Sequence, residues 1–315
     1  MRFDLIKCHG SGNDFPLIDA RALSLGDADW ARVARALADR AGPVGGDGLL
    51  LLTAGDEDGR AFGMRMFNSD GSESETCLNG LRCVARAGFA ATGLTRATAR
   101  LKTSDALVVR DAEIAPGVFT VRETAGPASL DVAAWPMHVD ADQIVEMPLA
   151  GLPSTRAFTA VAMPNPHLVA FVEAVDDAEL VRVGEACEAA PDWLPNRANV
   201  SFVEVRGTDL FVRTHERGVG LTDSCGSAMA ASTFAACLTG RIAYDTPTTV
   251  FNRGGLVRAE AGADGMVTLS GNATVEWTGS VTVDLDPGEP GARDLVIARR
   301  HDEEIAAWET LRTGM

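Results

Sequence analysis

The alternation of apolar and polar positions predicts strands and helices in two successive rounds. In the first round, "MRFDLIKCHG" alternates as an opening strand does and ends at the turn "GSGND". Residues 27–40 carry apolar side chains at helical spacing. "GDGLLLLT" and "FGMRMFN" are typical of buried strands, and a second helix is predicted from about Asn79 to Ala91, with Gly93 as its stop.

The second half of the chain repeats this order. "FTAVAMPNPHLVAFV" predicts strand, turn and strand, "AELVRVGEACEA" a helix, and "ANVSFVEVRGTDLFVRTHERG" a pair of strands. "CGSAMAASTFAACLTG" predicts a second helix closed by Gly240. The pattern weakens between Thr124 and Pro153, where prolines interrupt it, so the domain change is expected there.

Each predicted half contains a cysteine directly before an alanine-rich helix. The first reads Cys77-Leu78-Asn79 and the second Cys225-Gly226-Ser227. Two similar α/β units would leave a cleft between them, across which the two cysteines could face each other.

Composition narrows the class of protein. A chain of 315 residues with 46% hydrophobic and 23% charged residues is typical of a soluble protein with two domains. The net charge of −16 makes nucleic acid and anionic membranes poor partners. No apolar run approaches the roughly 20 residues that span a bilayer, and the first residues lack a secretory h-region. A cytoplasmic location is therefore expected.

The cysteines and histidines favour neither disulfides nor a metal. The six cysteines, at positions 8, 77, 83, 187, 225 and 237, suit reduced thiols in a large chain without a signal sequence. The five histidines are scattered and there is no Cys-x-x-Cys pair, so no metal site is predicted. "GPVGGDGLL" leads into a strand and lacks the phosphate-loop lysine, so no nucleotide cofactor is expected either.

Two thiols at helix starts suit one particular chemistry. A helix N-terminus carries about half a positive charge and unpaired N–H groups, which favour a thiolate and bind a carboxylate. Two such starts in one pocket could hold the carboxylate of an amino acid. One cysteine would then remove the α-proton and the other would return a proton to the opposite face. This arrangement predicts a racemase or epimerase that needs no cofactor.

At these residues the chain resembles the diaminopimelate epimerases, which are cofactor-independent two-cysteine enzymes. The resemblance runs from "KCHGSGNDF" to about Leu285 and includes "FNSDGSESETCLNGLRC", "PNPH", "NRANVSF" and "HERGVGLTDSCGS" in the family's order. It implies an α/β (α+β) fold of two pseudo-symmetric domains, each a mixed, barrel-like sheet around a central helix, with the active site in the cleft between them. The expected domains are residues 1–130 with a strand from about 270–285, residues 131–269, and a helical extension at 286–315.

The resemblance also implies a role for each matching residue. Cys77 and Cys225 match the acid–base pair, and His167 and Glu216 are also expected to be catalytic residues. The N–H groups of two helix starts would clamp the reacting α-carboxylate, and further side chains would contact the rest of a small amino-acid substrate. The expected binding residues are Asn13, Asn68, Leu78, Asn79, Asn165, Asn199, Glu216, Arg217, Gly226 and Ser227. The resemblance is compatible with a homodimer.

The chain departs from the family pattern at several positions near the expected site. Leu78 stands where the family usually has glycine, Gly46-Asp47-Gly48 replaces Phe-Asp-Gln, and Leu221 replaces glutamate. A sister enzyme acting on another amino acid is therefore the leading alternative.

Two alternatives belong to other functional classes, and a plainer interpretation also exists. A thiol hydrolase or redox enzyme would need a local partner for one cysteine, and neither cysteine has such a motif. A non-catalytic amino-acid-binding protein would be expected to have lost one of the two cysteines. Taken singly, each cysteine would be a buried core residue, and this interpretation is favoured for the other four.

Overall fold

The computed structural model describes residues 1–135, 137–286 and 290–314. It divides the chain into two units by internal contacts. Unit 1 combines residues 1–123 with 270–315, and unit 2 is the continuous segment 124–269. This boundary lies at the start of the proline-interrupted interval 124–153 and a few residues before the expected domain end at residue 130. The C-terminal extension was expected to be separate, whereas these contacts include it in unit 1.

Unit 1 begins with a hairpin and a crossover helix. The first part of the chain contributes β1 (Arg2–Gly10), β2 (Asn13–Asp19), α1 (Asp27–Ala38), β3 (Gly48–Ala54), β4 (Phe62–Asn68), β5 (Glu73–Ser74), α2 (Leu78–Thr92), β6 (Arg96–Arg100), β7 (Asp105–Arg110) and β8 (Thr120–Ala125). The last residues of β8 belong to unit 2. The end of the chain adds β18 (Thr274–Asp284), β19 (Gly291–Arg300) and α5 (Asp302–Thr313) to unit 1.

Unit 2 starts with a short 3-10 turn at Val132–Ala134 and continues in the same style. Its elements are β9 (Met147–Pro148), β10 (Ala157–Ala162), β11 (Pro166–Val172), α3 (Asp177–Glu188), β12 (Asn199–Arg206), β13 (Asp209–Glu216), β14 (Gly220–Thr222), α4 (Gly226–Leu238), β15 (Thr248–Asn252), β16 (Gly255–Ala261) and β17 (Val267–Asn272), whose last residues count with unit 1.

The strand pairings repeat from unit 1 to unit 2. In unit 1, β1 and β2 form an antiparallel hairpin, α1 leads to β3 parallel to β2, and β3, β4 and β5 pair antiparallel in succession before α2 leads to β6 parallel to β4. In unit 2, β10 to β15 follow the same sequence of pairings around α3 and α4. The two domains are therefore pseudo-symmetric, as the resemblance implied.

Burial explains why these segments form these elements. The run Leu49–Leu52 in β3 is fully buried, because it lies between α1 and α2 on a strand with neighbours on both sides. In α1 the buried residues include Trp30, Val33 and Leu37, which recur at helical spacing and face the sheet. The core of unit 1 is therefore built from one face of α1 and the apolar strands.

The second helix of each unit lies against five or more strands of its own unit. α2 packs on β1, β2, β3, β4 and β7, and α4 packs on β10, β11, β12, β13, β15 and β16. Every residue from Gly226 to Cys237 is buried, which accounts for the small side chains of α4: a helix enclosed by strands has little room for large ones. Both helices begin at a cysteine that serves as the N-cap.

The C-terminal extension differs from the helical expectation. Residues 291–300 form β19, which pairs antiparallel with β18, and only residues 302–313 form the helix α5. The sequence pattern did not predict this strand, because most of its side chains are exposed and the alternation of apolar and polar positions is weak. Its hydrogen bonds come from pairing with β18. In α5, Trp308 is buried against the ring of His9, as expected for the apolar side of the helix.

Within the described residues, no helix combines the length and apolar character needed to cross a membrane.

Candidate active site

Cys77 lies between the short strand β5 and the first turn of α2. Its backbone is extended, with φ −147° and ψ 100°, while the following residues are helical. The half-buried thiol sulfur accepts a hydrogen bond of 3.3 Å from the N–H of Gly80. A hydrogen bond to sulfur stabilises the thiolate form, so this position favours a reactive sulfur.

Gly80 makes room for both the sulfur and the sheet. A methyl group on its Cα would lie 2.7 Å from Cδ2 of Leu50 and 3.3 Å from Sγ of Cys77. The first turn of α2 can therefore press against β3 only because residue 80 has no side chain.

The side-chain amides of Asn79 and Asn13 are joined in one chain of hydrogen bonds. Asn79 Nδ2 donates to Oδ1 of Asn13 at 2.9 Å, and Asn13 Nδ2 donates to Oδ2 of Asp47 at 2.7 Å. Asp47 also accepts hydrogen bonds from the N–H of Asp14 at 3.1 Å and from Arg40 at 2.6 Å. The structure thus brings Asn13 and Asn79 together and adds Asp47, which was not among the site residues expected from the sequence.

The other end of this chain is a buried ion pair. Arg82 donates to Oδ1 of Asn79 at 2.8 Å and to Oε1 of Glu123 at 2.7 Å, and the side chains of Arg82 and Glu123 are fully buried. Burial raises the pKa of Glu123 to about 7, although the Arg82 charge acts in the opposite direction. Since a buried charge pair is costly to break, Arg82 is a fixed anchor for Asn79.

Leu78 and Asn68 complete the predicted residues of unit 1. Leu78 is buried at the first position of α2. Asn68 ends β4 opposite Gly48 and donates to Oγ of Ser72 at 2.9 Å within a tight turn. It therefore lies beside the Asp47 loop, and its amide nitrogen already has a partner.

Cys225 occupies the same place in unit 2, after β14 and at the start of α4, but its surroundings differ. It is only 8% exposed, and its sulfur lies 3.5 Å from the hydroxyl oxygen of Ser227, within hydrogen-bond reach. Burial first, and then the negative charge of Glu216, raise the pKa of the Cys225 thiol well above its usual range. The neutral thiol is therefore strongly favoured here.

Glu216 is held at the end of β13 beside β14. Its Oε1 accepts a hydrogen bond of 2.5 Å from the hydroxyl of Thr222, and Glu216 pairs with Gly220 in the sheet. The carboxylate thus has a fixed position near Cys225, set by a threonine that the sequence did not single out.

His167, Asn165 and Asn199 form one polar group at the adjacent ends of β11 and β12. The His167 Nε2 atom lies 3.0 Å from Oδ1 of Asn165 and 3.4 Å from Nδ2 of Asn199. Burial and the charge of Arg217 lower the pKa of His167 to about 3, so the ring is neutral at physiological pH. A proton on Nε2 satisfies the shorter contact; among the described residues Nδ1 then has no partner.

Arg217 follows Glu216 and is half-buried. Its backbone N–H donates to Oδ1 of Asn199 at 2.8 Å, and its guanidinium donates to the carbonyl oxygen of Asn196 at 3.0 Å. Unit 2 therefore brings Asn165, His167, Asn199 and Arg217 into one connected set of contacts, while Gly226 and Ser227 open α4.

Comparison with known protein families identifies the chain. The family "Diaminopimelate epimerase" matches residues 5–119 and 159–276. A diaminopimelate epimerase of Enterococcus faecalis is 37% identical over 98% of this chain and 97% of its own length. One from Clostridium acetobutylicum is 36% identical over 90% of this chain and 87% of its own.

The chain belongs to the diaminopimelate epimerase family. Its members named above are isomerases, and the chain is an isomerase of the epimerase class.

More distant solved structures share the fold of this family member. A predicted epimerase from Pseudomonas aeruginosa superposes with a TM-score of 0.62 at 18% identity over 88% of this chain and 98% of its own. A probable proline racemase from Agrobacterium radiobacter superposes with a TM-score of 0.61 at 13% identity over 99% of this chain and all of its own. At such low identity these likenesses establish the two-domain fold alone.

Sequence reasoning missed residues that position the site of this epimerase. Asp47, Arg82 and Thr222 each bond to a predicted residue, and Glu123 in turn holds Arg82. A glycine on each side of Asp47 is the one signal that could have found it. A methyl group at Gly48 would lie 2.3 Å from the carbonyl oxygen of Phe67, so this loop is pressed against β4.

Proposed function

We propose that the protein epimerises LL-diaminopimelate to meso-diaminopimelate, a step in lysine and peptidoglycan biosynthesis, by a two-base mechanism that needs no cofactor. Cys77 and Cys225 supply the base and the acid, one on each face of the α-carbon. The repeat carries the proposal: in both units the same strand order leads to a cysteine N-cap and a helix largely buried in its own unit.

The surroundings of the two sulfurs support opposite protonation states in the resting enzyme. The Gly80 N–H bonds to the sulfur of Cys77, which suits a thiolate that removes the α-proton. Burial and the Glu216 charge hold Cys225 as a thiol, which suits the group that delivers a proton. In the reverse direction the two roles exchange.

The reacting carboxylate binds to the N–H groups of Leu78 and Asn79 and of Gly226 and Ser227. Helix starts leave their first N–H groups without intrahelical acceptors, and the helix dipole favours an anion there. These donors stabilise the negative charge that develops as the α-proton leaves.

The distal end of the substrate carries a second carboxylate and a second ammonium group. Arg217 and the amides of Asn165 and Asn199 suit the carboxylate, whereas the carboxylate of Glu216 and the Oδ1 atom of Asn68 suit the ammonium group. His167, neutral and buried, acts on Asn165 and Asn199 as a positioning residue rather than as a proton carrier.

Exchange of the substrate α-hydrogen with deuterated water tests the reaction class. The protein is expected to convert LL-diaminopimelate to the meso isomer with deuterium at the inverted carbon, after dialysis against a chelator and without added pyridoxal phosphate. A protein that only binds amino acids gives neither exchange nor inversion. Loss of activity on dialysis, or a chromophore in the purified protein, would contradict cofactor independence.

A second candidate is a racemase of the same family that acts on another amino acid. It is favoured by Leu78, whose side chain stands at the first position of α2, where glycine would leave more room. Comparing kcat/KM for LL-diaminopimelate with lysine, histidine, glutamate and proline decides between the two. Arg217→Lys is expected to lower kcat/KM for diaminopimelate by about 100-fold, because lysine cannot grip a carboxylate with two parallel bonds. If lysine or histidine is the true substrate, the same change has little effect.

A further inference from the structure

In unit 1, a row of hydrogen bonds runs from Arg82 through the amides of Asn79 and Asn13 to Asp47, with a donor at one end and an acceptor at the other. Arg82 can only donate hydrogen bonds and the carboxylate of Asp47 can only accept them. Asn79 must therefore turn Oδ1 towards Arg82, at 2.8 Å, and Nδ2 towards Asn13. Asn13 must in turn present Oδ1 to Asn79 and Nδ2 to Asp47. Neither amide can flip without placing two acceptors or two donors against each other.

Both end groups of this row, Arg82 and Asp47, are held in place by further hydrogen bonds. Arg82 also bonds to Glu123, to the hydroxyl of Ser11 at 2.9 Å and to the carbonyl oxygen of Asn272 at 3.1 Å. Asp47 is held by Arg40, by the N–H of Asp14, and by its own N–H, which donates to the Asp14 carbonyl oxygen at 2.8 Å.

The loop that carries Asp47 is also held in place by close packing. A methyl group at Gly46 would lie 2.8 Å from Cδ of Pro16, so the loop has close neighbours on this side as well as at Gly48. The carboxylate therefore cannot move away from Asn13 without moving the loop.

This polarity determines what Asn13 offers to a ligand. One hydrogen of its Nδ2 is bonded to Asp47, and among the described residues the second has no partner. Asn13 is half-buried, so the residue is partly open to a ligand. Its carbonyl oxygen is turned away towards Asn79. The residue thus presents a donor, which matches a carboxylate and not an ammonium group.

We propose that Asp47 is a positioning residue that orients the Asn13 amide so that it donates an N–H to a carboxylate oxygen of the substrate. The inference rests on the proposed function, since it takes Asn13 as a substrate contact. In Asp47→Asn the acceptor-only end is lost, because an asparagine can turn either its oxygen or its nitrogen towards Asn13. The Asn13 amide then populates both orientations, one of which sets a carbonyl oxygen against the substrate carboxylate.

A double-mutant cycle with Asn13 tests this role. Asp47→Asn alone is expected to lower kcat/KM by about 10- to 100-fold, the size of one hydrogen bond to a charged group. Because Asp47 acts through Asn13, the same change in an Asn13→Ala background is expected to lower it by less than about twofold. An equal loss in both backgrounds would overturn the proposal.

Asp14→Asn is the matched control. Asp14 is the other carboxylate on Arg40 and also pairs with Lys7, but its side chain does not contact the two amides. This variant is expected to lower the unfolding temperature while kcat/KM stays within about threefold of the wild type. Asp47→Asn is expected to show the reverse, with activity lost and the unfolding temperature little changed. If Asp47→Asn loses stability and activity together, as a purely structural residue would, the inference fails.

Neutron diffraction of the wild-type protein separates this inference from the proposed function. Two deuterons on the Asn13 nitrogen, one of them directed at Asp47, are expected whatever the substrate. An amide with its oxygen towards Asp47 overturns the inference even if the enzyme inverts diaminopimelate. If the wild type inverts no diaminopimelate, the proposed function fails, and the deuteron positions still decide the orientation.

Discussion

Cys77 and Cys225 cap helices that follow the same order of strands, yet their surroundings differ. Cys77 is half-buried, its sulfur accepts a backbone N–H, and the helix behind it is anchored by the ion pair of Arg82 and Glu123. Cys225 is buried beside the carboxylate of Glu216 and starts a helix of small side chains without a charged residue. A repeated fold thus provides two equivalent positions, and the side chains around them give the two sulfurs different surroundings: a backbone N–H donor at Cys77, and burial beside a carboxylate at Cys225.

The largest expected effect comes from removing either sulfur. Cys77→Ala and Cys225→Ala are each expected to lower inversion of LL-diaminopimelate by about 1,000-fold or more, because inversion needs a base and an acid on opposite faces. Cys237→Ala, which changes a cysteine at the other end of α4, should retain most of the activity. Turnover near the wild-type rate in either catalytic variant would end the two-base interpretation.

The two alanine variants should also differ from each other in hydrogen exchange. The cysteine that remains can still reach one face of the α-carbon. Each variant is therefore expected to exchange the α-hydrogen of one stereoisomer, LL or meso, and the two variants should prefer opposite isomers. Mass spectrometry in deuterated water measures this, and the same preference in both variants would mean that the sulfurs do not act from opposite sides.

Alkylation rates test the combined difference in access and protonation between the two sulfurs. At neutral pH, iodoacetamide is expected to modify Cys77 at least about 10-fold faster than Cys225, as read by peptide mapping. Glu216→Gln removes the negative charge that helps to raise the Cys225 pKa, and each unit by which this pKa falls gives about 10-fold more thiolate. The modification of Cys225 should therefore become faster in this variant.

Glu188→Gln is the control for the loss of a carboxylate from unit 2. Glu188 binds the N–H of Gly218 and the side chain of Arg197, and it should leave the rate at Cys225 unchanged. Equal acceleration by both variants would mean that general surface charge, and not Glu216, sets the state of this thiol.

The smallest expected effect concerns two buried histidines, one in each unit. Burial lowers the pKa of His9 in unit 1 to about 4 and that of His167 in unit 2 to about 3. Below a pH of about 6.5 the two histidines become protonated in the unfolded chain but stay neutral in the folded protein. The free energy of unfolding therefore falls as the pH falls. His167→Gln is expected to reduce this slope by about 1.4 kcal/mol per pH unit between pH 6 and pH 4.

Chemical unfolding at pH 6, 5 and 4 measures the slope. Glu123 provides the opposing case in unit 1: its folded pKa of about 7 lies above the value in the unfolded chain. The contribution of Glu123 to the free energy of unfolding is therefore present at low pH and is lost as the pH rises towards 7. An unchanged slope in His167→Gln would show that the ring is charged in the folded protein, which would contradict its role as a neutral positioning residue.

The parts that the sequence predicted are those that depend on local pattern. The helix expected from about Asn79 to Ala91 is α2, Leu78–Thr92, and both cysteines lie at helix starts as their positions before alanine-rich runs indicated. The repeated order of strands and helices was also visible in the alternation of apolar residues.

The parts that it did not predict depend on contacts between distant segments. Arg82 and Glu123 are 41 residues apart and Asn13 and Asp47 are 34 apart, and no local rule pairs them. β19 has few buried side chains, so only its pairing with β18 defines it as a strand. The neutral state of His167 likewise follows from burial, which the motif "PNPH" does not report.

The division of the chain into a continuous unit and a split one has a consequence for protein synthesis. β1 lies between β2 and β18, and the Arg2 side chain donates to Ser280, 278 residues later. Unit 2 consists of residues 124–269 alone, so it can close its sheet while the ribosome is still producing the end of the chain. Unit 1 must wait for β18, and until then one edge of β1 is unpaired. Because an unpaired strand edge can pair with another chain, we expect the lag before unit 1 folds to limit the yield of active enzyme.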